Sequence, residues 1–106
     1  MIVKSAEARQ KVFLGIAFDV LAAGKHTMVT RMRYESGAQI PGHHHPNEQA
    51  GYVISGRVRI RFGEYDEILE AGDTYVIPKD VVHTFDVFEA GEVLDVFCPP
   101  REDYLG

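Results

Sequence analysis

The sequence predicts an all-β domain, and three observations carry that expectation. Gly and Pro punctuate the chain about every ten residues. The segments between them alternate apolar and polar side chains with the two-residue period of a strand. No segment sustains the 3.6-residue period of a helix. Many short strands at regular spacing imply a sandwich or barrel. At 106 residues the chain has room for one core, so residues 1–106 are read as a single domain with no linker.

In chain order, residues 5–10 can make one helical turn, and residues 13–21 form the first strand candidate. The Ala23-Gly24-Lys25 turn leads to a strand at 28–34, which Ser36-Gly37 closes. A strand at 49–55 turns at Ser55-Gly56 into 57–62, the cleanest alternation in the chain. There Val58, Ile60 and Phe62 face inward while Arg57, Arg59 and Arg61 face out, as a solvated sheet face or edge protector. Short strands at 68–69 and 74–77 flank Ala71-Gly72-Asp73. Pro78-Lys79-Asp80 and Glu89-Ala90-Gly91 then bound strands at 83–88 and 92–98.

A net charge of −5, with acidic residues scattered, argues against a nucleic-acid binder, which needs a basic stripe. Cys98 is the single cysteine, so no intrachain disulfide forms, and its apolar strand predicts a small buried side chain. Residues 1–12 carry Lys4, Glu7, Arg9 and Lys11 and no apolar signal region, and nothing reaches membrane-spanning length. The expectation is a soluble cytoplasmic protein with no membrane partner.

Three consecutive histidines, His43-His44-His45, follow the turn-rich run from Gly37 to Gly42. Strand geometry puts His43 and His45 on one face and sends His44 to the other, a surface or interface place. Two imidazoles on one wall make half of a metal site. Gln49 and His83 are available as third and fourth ligands. His83 opens the alternation His83, Phe85, Val87, so it faces the interior, where a lone imidazole needs a partner. Pro78 fixes the turn that delivers it. The plainer alternative is a hydrogen-bonded histidine cluster without metal. His26 reads as a solvated loop residue.

Five residues separate Gly37 from His43, one separates His43 from His45, three lead to Gln49 and six more to Gly56. Fifteen residues later come Gly72, five residues, Pro78, four residues and His83. This arrangement resembles the paired motifs of the cupin superfamily and spans about residues 30–98. The resemblance implies a single-domain double-stranded β-helix, or jelly-roll barrel, with one divalent metal per subunit held by His43, His45, Gln49 and His83. Family members commonly carry Glu at the Gln49 position, so Glu48 is an alternative ligand; Asp80 and Val87 also depart from the usual pattern. Three imidazoles and an amide are neutral and leave the full charge on the cation, which favours anionic ligands and tilts against ferric chemistry. Nickel, zinc, manganese, iron and copper all suit such donors.

The segments from His45 to Gln49 and from Leu94 to Tyr104 look like a cupin subgroup that includes pectin degradation proteins. Members convert cyclic 4,5-unsaturated uronates into linear keto sugar acids, and the resemblance assigns Asp95, Phe97 and Arg101 to their catalytic positions. Asp95 is then a general acid/base, Arg101 a clamp for the substrate carboxylate and Phe97 an apolar wall. Alternatively, Asp95 and Arg101 form an internal salt bridge closing the barrel. Two other functions stay open: a metal-dependent dioxygenase, and a non-enzymatic small-molecule-binding or sensing module. Tyr104 and Leu105 are expected to pack on a neighbouring subunit, and strand 13–21 to pair across a two-fold axis, giving a homodimer.

Overall fold

A computed structural model describes residues 1–106. Ten strands follow a short 3₁₀ turn at Ser5–Glu7: β1 Arg9–Phe13, β2 Ile16–Ala23, β3 Met28–Tyr34, β4 Gln39–His43, β5 Glu48–Val53, β6 Arg57–Phe62, β7 Tyr65–Glu70, β8 Thr74–Ile77, β9 His83–Glu89 and β10 Gly91–Cys98. A one-turn helix, α1, spans Glu102–Leu105. The strands form two antiparallel sheets, ordered β1-β2-β3-β10-β5-β8 and β4-β9-β6-β7. The all-β expectation stands, and the arrangement is a jelly roll.

The core lies between the sheets because each strand alternates as its sequence requires. One sheet contributes Phe18, Met28, Met32, Val53, Ile77, Val93 and Phe97, and the other Ile40, Val58, Ile60, Phe85 and Val87. On the outer face of the smaller sheet, Arg57, Arg59 and Arg61 pair with Glu70, Asp66 and Asp86. The arginine row is therefore balanced by acids from its neighbours.

Glycine supplies the left-handed backbone at the motif turns, with φ of 84° at Gly37, 87° at Gly56 and 93° at Gly72. Asp80 adopts φ 62° after Pro78, a conformation Asp tolerates, so its departure from the family glycine leaves the turn intact.

Four expectations are corrected. Residues 13–21 are not one strand: Leu14 and Gly15, at φ 51° and 77°, make a two-residue hairpin turn between β1 and β2. β2 is therefore internal, paired on both sides, and cannot join a partner across a two-fold axis; the free edges of its sheet are β1 and β8. Cys98 is exposed, because strand parity turns it outward beside inward Phe97. Tyr104 packs within its own chain against Phe13, Phe18 and Phe97. It is 3% exposed there, so it is not an unsatisfied apolar tip.

Candidate metal centre

Three elements deliver the histidines to one point. Between Ile40 and His43, β4 advances three residues while β9 advances two, from Phe85 to His83. That bulge reverses the side to which His43 points, so it shares the interior with Ile40 and His83. β4 ends there. His44 is exposed in the loop that follows, and His45 is buried, its carbonyl accepting a hydrogen bond from the Asp80 N–H at 2.8 Å. The ring centroids lie 4.3 Å apart for His43 and His83, 5.0 Å for His45 and His83, and 5.9 Å for His43 and His45. One ligand atom from each falls within 4.8 Å of the others.

Tautomer and protonation follow from the partners. Nδ1 of His43, His45 and His83 lies 3.0, 3.0 and 2.8 Å from the carbonyls of Pro41, Asn47 and Val81. A carbonyl only accepts, so each Nδ1 carries the proton and each Nε2 presents a lone pair. Burial is the largest influence on all three rings and lowers their pKa, that of His83 to about 4, so they are neutral at pH 7. His83 Nε2 is buried without a protein partner.

Gln49 faces the cluster from β5 and is buried, whereas Glu48 is exposed on the opposite face. Gln49 Oε1 lies 3.1 Å from His45 Nε2, and Gln49 and Asp95 line the same cavity. With each Nδ1 protonated, His45 Nε2 and Gln49 Oε1 turn lone pairs toward the same point, as two ligands of one cation would. The donor set therefore fits a divalent metal.

Asp95 and Phe97 point inward from β10, both 1% exposed. Burial raises the Asp95 pKa to about 6, against the lowering effects of hydrogen bonds from Tyr75 and Gln49 and of the Arg101 charge. Tyr75 Oη donates to Asp95 Oδ1 at 2.5 Å. Gly51 makes that possible: a Cβ there would sit 2.0 Å from Tyr75 Cζ. The internal salt bridge between Asp95 and Arg101 does not form. Arg101 instead forks onto Asp103, Nε to Oδ1 at 3.2 Å and Nη2 to Oδ2 at 2.7 Å. Its guanidinium also lies 4.0, 4.8 and 5.3 Å from the ring centres of Tyr104, Phe13 and Phe97.

His43, Gln49, His83, Asp95, Phe97 and Arg101 line one cavity, with His45 at its edge, packed edge-on against Phe97. A cupin domain model matches residues 30–97 of the chain. The chain belongs to the cupin superfamily. This cupin is 30% identical over 93 residues to the pectin degradation protein KdgF of Dickeya dadantii (strain 3937), covering 86% of this chain and 84% of that protein. KdgF from Halomonas sp. superposes with a TM-score of 0.88 at 26% identity, covering 98% of this chain and 99% of that one. An RmlC-like cupin from Shewanella frigidimarina shares the fold, with a TM-score of 0.89 at 24% identity over 97% of this chain and 94% of that one.

Sequence reasoning overlooks several residues of this cupin's cavity. Tyr75 holds Asp95, Tyr34 lines the wall with a buried hydroxyl that has no protein partner, and Phe13 and Tyr104 close the mouth. Alternation in β8 marks Tyr75 as inward-facing. Only the pairing of Gly51 with Tyr75 places it over the glycine. Tyr104 carries no comparable signal, since a four-residue helix is too short to show a period.

Proposed function

We propose that this cupin binds one divalent metal per subunit through His43, His45, His83 and Gln49 and opens the ring of a 4,5-unsaturated uronate. The observation that carries the reading is a buried carboxyl, Asp95, held by Tyr75 in the same cavity as His43, His83 and Gln49. Likeness to KdgF supports the substrate class. A bound dication would draw electron density from a substrate oxygen, more strongly because all four donors are neutral.

The isomerisation needs two proton movements and no co-reactant. The C1 hydroxyl loses a proton, the bond from C1 to the ring oxygen breaks, and C4 gains a proton as C5 becomes a ketone. A carboxyl with a pKa of about 6 is populated in both states near neutrality, so Asp95 can take the first proton and return it at C4. Tyr75 orients it. Arg101 is the cation beside the cavity suited to a sugar carboxylate, and Phe97 offers an apolar face to the ring.

The test is Asp95→Asn in protein purified without a histidine tag. Loss of the 4,5-double-bond absorbance should slow by about a hundredfold or more, as for removal of a general acid/base. Metal content by elemental analysis should not change. Undiminished turnover would end the role of Asp95. No turnover by any metal form of the unaltered protein, across a panel of sugar acids, would make it a binding module.

A further inference from the structure

The cavity at the histidines is small. Its volume is about 20 Å³, roughly room for one water. A second hollow of about 500 Å³ lies against His44, His45, Asn47, Pro99, Glu102 and Asp103. Arg101 lines both, and His45, whose ring faces His43 and His83, also lines the outer hollow. Arg101 is 5% exposed, and the carboxylate that engages it, Asp103, is 55% exposed at its side chain. The two spaces thus share a guanidinium whose fork is already occupied by an exposed carboxylate two residues away.

Resting on the acidic-sugar reading above, we propose that the outer hollow is an entry vestibule and that Asp103 is an internal competitor for Arg101. An incoming carboxylate replaces Asp103 on the guanidinium fork, because the two present the same planar pair of oxygens. Losing that ion pair frees α1, whose Tyr104 lies over Arg101 and against Phe13 and Phe97 at the cavity mouth. The other polar ties of α1 are exposed, Arg9 Nη1 to the Leu105 carbonyl at 3.3 Å and Lys11 to the Gly106 carbonyl. Its remaining anchor is the Tyr104 ring against Phe13, Phe18 and Phe97. His44, turned away from the metal ligands, lines the vestibule. A neutral sugar has nothing with which to displace Asp103, so the exchange selects for acids.

The experiment measures D-galacturonate and D-galactose binding by calorimetry to the unaltered protein, Asp103→Asn, Asp103→Ala and Arg101→Met, each checked for folding by thermal melt. Removing the competing carboxylate should tighten galacturonate binding about three- to tenfold in both Asp103 variants, the scale of a half-exposed ion pair, and leave galactose unchanged. Arg101→Met should weaken galacturonate. Hydrogen exchange at the Tyr104 amide, bonded to the Arg101 carbonyl at 3.1 Å, should quicken in Asp103→Asn and when galacturonate is added to the unaltered protein. If Arg101→Met weakens galacturonate but neither Asp103 variant tightens it, the competitor is overturned while the Arg101 clamp stands. If Arg101→Met binds like the unaltered protein, both fall. Slower or unchanged exchange at Tyr104 overturns the release of α1.

Discussion

His83 and Asp95 lie in one cavity, yet their protonation acts on stability with opposite signs. Burial lowers His83 from 6.5 to about 4 and also lowers His43 and His45. Between those pH values the unfolded chain holds protons that the folded metal-free chain does not. Stability present above pH 6.5 is therefore lost as pH falls toward 4, on the order of 2–3 kcal/mol for His83. Burial raises Asp95 from 3.8 to about 6. The folded chain then holds a proton that the unfolded chain lacks, so acidification from pH 6 to 4 adds stability. In chelated protein, urea midpoints for Asp95→Asn should fall more steeply between pH 6 and 4 than those of the unaltered chain; parallel curves would contradict the raised Asp95. Metal should oppose the histidine loss, raising stability by about 3 kcal/mol at a free concentration a hundredfold above Kd. His83→Ala should abolish that rise in a thermal melt. His43, His45, Asp95 and His83 are legible in the sequence because each is a polar residue in an inward apolar pattern or a tight motif. The occupation of Arg101 by Asp103 is not legible, since it depends on how the chain turns after Pro100.

The element that governs Asp95 is the pairing of β5 with β8. Gly51 stands opposite Tyr75, and the tyrosine ring lies across the place a Cβ would occupy, 2.0 Å from Cζ and 2.3 Å from Oη. Gly51→Ala must push that ring aside, so it should destabilise the protein by about 1–3 kcal/mol, as overpacking does. It should also break the hydrogen bond to Asp95. Because the clash is with one side chain, Gly51→Ala should cost much less stability in a Tyr75→Leu background, and a double-mutant cycle by urea denaturation measures the difference. Additive effects would mean that the strain lies in the backbone. β6, β8, β9 and most of β10 are legible because their alternation is uninterrupted. β1 and β4 are not. The Leu14-Gly15 turn lacks the usual Asn-Gly signal, and Pro41 and Gly42 hide an edge strand whose bulge aims His43.

At the scale of the whole molecule, the larger sheet covers the core with one face and leaves an apolar row on the other. Val76, Ala50, Val96 and Val29 stand in a row, each paired with the next, across β8, β5, β10 and β3. Tyr52 and Leu94 form the next row, with Ile54 beyond. Val76 is 53% exposed, Tyr52 48% and Ile54 39%. Beside this patch lies a charged one, where Asp19 accepts from Arg31 at 2.7 Å and from Arg33 at 2.6 Å, with Glu92 nearby. A two-fold axis through this face lets each copy's apolar row cover the other's, with the neighbouring charged patch supplying the rest of the contact. The homodimer is accordingly proposed on this sheet face, not on the buried Tyr104. Sedimentation of the unaltered protein at micromolar concentration should give a dimer. Val96→Glu places a charge at the centre of the row without touching the metal cavity, because residue 96 faces outward between inward Asp95 and Phe97. It should yield a folded monomer with metal content retained. A dimer that survives Val96→Glu, with the variant still cooperative in its thermal melt, would move the interface elsewhere, with the free edge of β1 as the next surface to alter.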